Sequence, residues 1–182
     1  HRAGSDGGLL TLALSPVAAA LLLPELVTTL RESHPTSRVR IMEMAPSAVL
    51  PQVRDDVADI GVTQKTRAGL DAGLRFRPLF EVQMRVAVRA GHPLAGTRNL
   101  RDLATASWLA MTVPGSSEDI VSLSFAKRGL AAPVPTVHCG SYSVSLDILA
   151  SSDLVSVLPP PLLEAWIGSG RLSEVVLDQP LL

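Results

Sequence analysis

Cysteine occurs once, at Cys139, so no disulfide can form within this chain. The pattern fits a reducing compartment and leads to an expectation of cytoplasmic location. Aromatic residues are scarce, with Trp 2, Tyr 1 and Phe 3. Any ligand wall must therefore be built mainly from aliphatic groups. No excess of positive charge exists, because 16 basic residues face 17 acidic ones for a net charge of -1. That excludes the electrostatic footprint that direct nucleic-acid binding requires. No apolar run reaches the length of a membrane span, and the opening HRAGSDGG lacks the basic and apolar regions of a signal peptide. It reads as the tail of a linker, so the chain is expected to be part of something longer.

Enzyme signatures are missing too. There is no G-x-S-x-G elbow, no phosphate-cradling P-loop and no dinucleotide glycine pattern after a strand. His34 and His92 each precede a proline in a turn, and the neighbours His138 and Cys139 would point to opposite faces of a strand. No metal site, cofactor or catalytic group is expected, and Cys139 reads as a small buried hydrophobe, with a redox-sensing thiol as the alternative.

What is present is a globular composition, 47% hydrophobic and 18% charged over 182 residues, enough for two small lobes. Leu9 to Leu14 is a short apolar run of the kind a strand covered on both faces shows. Ser15-Pro16 then turns the chain into a helix stopped by Pro35, with Leu22, Leu23, Leu26, Val27 and Leu30 at helical spacing. Pro24 must sit in an early turn of that helix or kink it. Arg38 to Met44 is a second strand, Ala45-Pro46-Ser47 a second turn into a helix, and Asp59 to Gln64 a third strand. This β-α-β-α-β order predicts a parallel sheet with Ser15, Pro46 and Gln64 at one edge, where open α/β sheets bind small anions.

The second half begins with alternation through Val82, Met84, Val86 and Val88, which marks a strand with one buried face. After the Gly91-His92-Pro93-Leu94 break, Asn99 can cap a short helix over Leu100 to Thr105. A strand over Trp108 to Met111, a loop to Ser117 and a helix from about Glu118 to Arg128 follow, with Gly129 as terminator. Pro133 to Cys139 reads as a strand, Tyr142 to Ser151 as a helix and Leu154 to Leu158 as a strand stopped by Pro159-Pro160-Pro161. A helix over Leu162 to Ile167 and a strand over Arg171 to Leu177 complete a second βαβαβ-like half.

These segments, in this order, resemble the effector-binding domain of LysR-type transcriptional regulators. GLLTLALSPVAAALLLPELVTTLRESHP is similar to that family's first strand and helix, and VRDDVADIGVT to its second helix and third strand. RFRPLFEVQMRVAVRAGHPLA is similar to its crossing strand and HPLA turn, and SLDILASSDLVSVLPPPL to its later helix and strand. Ser151-Ser152-Asp153 stands where the family usually has glycines, so this turn is expected to differ in shape.

The resemblance implies an α/β fold of two Rossmann-like lobes, similar to type 2 periplasmic binding proteins, with a ligand cleft between lobes. The lobes would span 1–82 and 83–180, the first without its return strand and final helix. The implied effector is a small organic acid, with aromatic acids a candidate class. Its contacts would be Ser15, Pro16, Ala45, Pro46, Gln64, Thr112, Ser141 and Tyr142. Homodimers, and tetramers of the full-length regulator, are implied, with Leu22, Leu26, Leu30, Val121 and Phe125 at the dimer interface. DNA would be reached only through an N-terminal winged helix-turn-helix outside this chain, and no membrane partner is implied. A periplasmic solute-binding protein of the same fold is the alternative. Ser15 has a plainer reading as a helix cap, which is compatible with ligand contact.

Overall fold

The computed structural model describes residues 8–64, 73–113 and 119–182. The loop from Lys65 and the stretch Pro114 to Glu118 fall outside them. The chain divides into two compact units, His1–Pro78 and Leu79–Leu182.

Unit 1 is a parallel three-stranded sheet. Strand β1 (Leu9–Leu14) lies between β2 (Arg38–Glu43) and β3 (Ile60–Val62), with helices α1 (Pro16–Ser33) and α2 (Pro46–Arg54) as crossovers. The residues of β1 serve two faces, as the period of two requires. Leu12 and Leu14 pack with Ala18, Ala19, Leu23 and Leu26 of α1. Ala13 packs with Val49, Val53 and Ala58 on the α2 side. Register is pinned by a reciprocal bracket: the Thr11 amide donates to the Asp59 carboxylate at 2.7 Å, and the Asp59 amide donates to the Thr11 carbonyl at 2.9 Å. Asp56 turns the chain into β3 with φ 56, a left-handed conformation that aspartate tolerates better than most residues. Gly61 is required for a different reason. A Cβ there would stand 2.7 Å from Val53 Cγ2 and 3.0 Å from Val49 Cγ1, so its absence lets α2 lie down on β3.

Unit 2 carries a five-stranded sheet in the order β6-β5-β7-β4-β8. Its strands are β4 (Arg85–Arg89), β5 (Ser107–Ala110), β6 (Val137–His138), β7 (Leu154–Leu158) and β8 (Leu172–Val175), and its helices are α3 (Ile120–Lys127), α4 (Tyr142–Ala150) and α5 (Pro160–Gly168). A short 3-10 turn at Leu100–Leu103 is capped by Asn99, whose side chain accepts the Arg101 amide, as its sequence predicts. The sheet is mixed. Strands β5, β6 and β7 are parallel, but β4 runs antiparallel to both β7 and β8. A second all-parallel half is therefore not what forms.

Several expected bounds also shift. Val82 and Met84 continue the alternation, yet β4 starts only at Arg85, because β7 pairs with it from Arg85 and β8 from Val86. The strand expected from Pro133 shrinks to Val137–His138. Strand β7 does end at Leu158, before the prolines, but α5 begins at Pro160 and not at Leu162: Pro160 and Pro161 form its first turn, where a missing amide hydrogen costs nothing.

The core of unit 2 is built around Trp108 and Phe125, packed edge to face with ring centroids 6.1 Å apart. Trp108 Nε1 donates to the Leu103 carbonyl at 2.9 Å, so the buried indole is satisfied. Phe125 is fully buried, which corrects its assignment to a dimer surface: its ring holds α3 to the sheet and offers nothing to a partner. Gly129 has φ 65 and ends α3 as expected. In the HPLA turn, the Leu94 amide donates to His92 Nδ1 at 3.0 Å, leaving the imidazole proton on Nε2.

Candidate functional site

Because β1, β2 and β3 are parallel, their carboxyl ends share one edge of unit 1. Hydrogen bonds tie those ends together. The Ser15 amide donates to the Val62 carbonyl at 2.9 Å and the Met44 amide to the Leu14 carbonyl at 3.0 Å. Thr63 Oγ1 donates to the Pro46 carbonyl at 3.2 Å. Ser15, Pro16, Ala45 and Pro46 are thus brought to one edge, with Gln64 following Thr63. Thr63 was not singled out by sequence. Its only signal was a hydroxyl one residue before Gln64, and its bond to the second turn is what fastens the two loops.

Helix starts at this edge are chemically unfinished. Ser15 is the N-cap residue of α1 and is 1% exposed, yet its side chain makes no capping hydrogen bond. The cap reading is therefore not the one the geometry takes. Ala45, the N-cap residue of α2, has no polar side chain to give. The first intrahelical amide of α1 is that of Ala19, bonded to the Ser15 carbonyl at 2.8 Å. Pro16 has no amide hydrogen, so Val17 and Ala18 supply the donors ahead of that bond.

Unit 2 offers a similar edge. Strands β5 and β6 are parallel, and the Cys139 amide donates to the Ala110 carbonyl at 2.9 Å, holding the loop after β6 beside the end of β5. Thr112 lies two residues beyond β5, half-buried. Ser141 is the N-cap residue of α4 and again makes no side-chain cap; its hydroxyl lies 3.2 Å from that of Ser143. Tyr142 opens the helix, half-buried.

The contrast with other helix starts is informative. Asn99 caps the 3-10 turn through Arg101 N at 2.9 Å, and Asp119 caps α3 through Ser122 N at 3.0 Å. At α5 the N-cap residue is Pro159, which has no polar side chain, and two prolines replace the first amides. Three helices that begin at strand ends, α1, α2 and α4, are thus not capped by the side chain of their own N-cap residue. Such starts attract negative charge, by roughly 0.3–1 kcal/mol each at exposed sites.

Cys139 is half-buried against the α4 cluster and not a fully enclosed core residue as its sequence suggests. Hydrogen bonding from the Ser145 side chain, and then from the Ser141 backbone, holds its thiol below the usual cysteine range, while desolvation acts weakly the other way. Ser145 Oγ also donates to the Cys139 carbonyl at 3.2 Å. Among the described residues, no group of three or more His, Cys, Asp or Glu is arranged to hold a metal ion, and no helix is long and apolar enough to cross a membrane.

A parallel α/β unit joined in sequence to a mixed-sheet α/β unit, each with a helix start not capped by its own side chain, gives a two-lobed fold similar to type 2 periplasmic binding proteins. The family model described as the LysR substrate binding domain matches residues 3–182, and the chain belongs to that family.

Among curated proteins, the HTH-type transcriptional regulator GalR of Pseudomonas putida is 25% identical over 178 residues, covering 97% of this chain and 45% of that protein. The HTH-type transcriptional regulator cbl of Escherichia coli is 28% identical over 131 residues, 70% of this chain and 40% of its own length. The chain spans about half the length of the curated relatives it matches. Among solved structures, the effector-binding domain of QuiR in complex with shikimate superposes with a TM-score of 0.79 at 17% identity, covering 96% of this chain and 82% of that one. The effector-binding domain of BenM with benzoate gives 0.71 at 22% identity, covering 96% and 81%.

Proposed function

We propose that this chain is the effector-sensing domain of a LysR-type transcription regulator that takes a small organic acid as ligand. The observation that carries this reading is Ser15: a buried hydroxyl at the meeting point of three strand ends, uncommitted to its own helix. The proposed contacts are Ser15, Pro16, Ala45, Pro46 and Gln64 of unit 1 and Thr112, Ser141 and Tyr142 of unit 2. Open helix amides favour the ionised form of an acid, and the small hydroxyls add donors without bulk. Benzoate and shikimate, the ligands of the two solved relatives, are both carboxylic acids, which agrees with that chemistry. Transcription control would run through a helix-turn-helix outside these residues, as the names of the curated relatives suggest. A role on DNA places the protein in the cytoplasm, and binding without turnover is the activity proposed.

Thermal shift with a panel of carboxylic acids beginning with benzoate and shikimate tests the site. A ligand present at about a hundred times its Kd adds about 2.7 kcal/mol of stability. Ser15→Ala removes one hydrogen bond to a charged group and should weaken binding about tenfold or more. The unliganded melting temperature should stay near that of the parent. An unchanged shift in the variant would remove Ser15 from the site.

Self-association is proposed through the half-exposed aliphatic side of α1 and the start of α3. Leu22 and Leu30 are half-buried, Leu26 rests partly on the β1 cluster, and Val121 partly on the core of unit 2. The paired substitution Leu22→Glu and Leu30→Glu should shift the sedimentation profile toward monomer. A profile identical to the parent's would count against that surface.

A further inference from the structure

Residues 178–182 run along unit 2 as a strap with attachments on several sides. Leu181 is 5% exposed and joins the cluster of Val86, Trp108 and Phe125, against which Met84 also packs. Arg128, directly after α3, donates through Nη1 to the Ser124 carbonyl at 2.9 Å. Through Nη2 it donates to the carbonyls of Gln179 at 3.1 Å and Pro180 at 2.7 Å. The Leu182 amide donates to the fully buried Ser124 Oγ at 3.1 Å. On the opposite side, Gln83 Nε2 reaches the Leu181 carbonyl at 3.5 Å. Asp178 donates its amide to the Arg98 carbonyl at 2.9 Å and pairs with Arg98 Nε at 2.7 Å.

Among the described residues, the three acceptors of Arg128 are all backbone carbonyls. A guanidinium used this way is a directional fork and not a charge-neutralising partner. One arm ends the last turn of α3 and the other grips the strap. The strap in turn meets the segment that enters β4 through Gln83 and Met84. Movement of α3 along its axis must either break the fork or draw the strap with it.

We propose that the strap is a coupling element and Arg128 its latch, a positioning residue that makes α3 and the entry segment 79–84 move together. The coupling does not depend on the ligand reading above. If that reading also holds, it supplies a route from the self-association surface on α3 to the start of unit 2.

Hydrogen exchange on the intact chain, without ligand, reads the coupling directly. Arg128→Gln should speed exchange about tenfold or more in peptides covering 176–182, 120–128 and 83–86, as the loss of charge-assisted bonds implies. Peptides from β7 (Leu154–Leu158) should keep the parent rate. Arg128→Lys, one flexible donor head in place of a fork, should fall between the two. Gln83→Leu should reach α3 from the other end. Acceleration confined to 176–182 would show a passive tail, and equal acceleration in β7 would show general destabilisation; either overturns the proposal. A Gln83→Leu protein with unaltered exchange in α3 overturns it as well.

Discussion

Phe125→Ala should lower the stability of unit 2 by about 3–5 kcal/mol, read from urea unfolding followed by tryptophan fluorescence. Both tryptophans, Trp108 and Trp166, lie in unit 2, so the signal reports that unit. The size follows from complete burial and from an edge-to-face contact at an interplanar angle of 84° with Trp108. Such ring pairs contribute about 0.5–1.5 kcal/mol beyond the area they bury. Collapse of the cavity is resisted on several sides by Val86, Leu100, Leu103 and Val155. Phe125→Leu should cost clearly less, because it removes volume without emptying the site. A loss below about 1 kcal/mol for Phe125→Ala, typical of surface changes, would mean that this ring is not a core group.

Gly61→Val should destabilise unit 1 by a smaller amount and by a mechanism of opposite sign. Here an atom is added where α2 already touches the sheet. The new Cβ would meet Val53 and Val49 at 2.7 and 3.0 Å, and both neighbours are β-branched and stiff. Overpacking of this kind costs about 1–3 kcal/mol. The displacement falls on the helix whose start carries Ala45 and Pro46, so the change should disturb ligand binding as well as the melting temperature. Combining Gly61→Ala with Val53→Ala should recover most of the loss that Gly61→Ala causes alone. Equal melting temperatures for the parent and Gly61→Val would overturn the close-approach account.

Much of this was legible in the chain. Leu9 to Leu14 and the Ser15-Pro16 turn announce β1 and α1, because an apolar run closed by a helix-starting proline has few other solutions. The strand ends of unit 1 follow from the βαβ rule, and with them the meeting of Ser15, Pro46 and Gln64. The direction of β4 was not legible, since a period of two reveals which face is buried and not which way the strand runs. Its start was hidden for a related reason: Val82 and Met84 alternate as well as Val86, but pairing depends on neighbours elsewhere in the chain. Pro160 and Pro161 hid the start of α5, because a proline that stops a strand can also stand in the first turn of the next helix. Phe125 shares its helix with Val121, and spacing alone does not say which side of a short apolar helix meets the sheet. Whether Ser15 caps its helix is a matter of one torsion angle, which no residue pattern encodes.

Proline is also placed twice in each helix of unit 1, at the start and again inside: Pro16 and Pro24 in α1, Pro46 and Pro51 in α2. The inner prolines each remove a bond to the preceding turn and divide the helices into pieces shorter than the ~12–15 residues that an isolated helix needs in water. Local propensity therefore cannot sustain either helix by itself. During synthesis or refolding, α1 and α2 therefore depend on β1 and its neighbours, and unit 1 should form as one cooperative piece. In unfolding the same dependence works in reverse, and once β1 is lost no helical remnant persists.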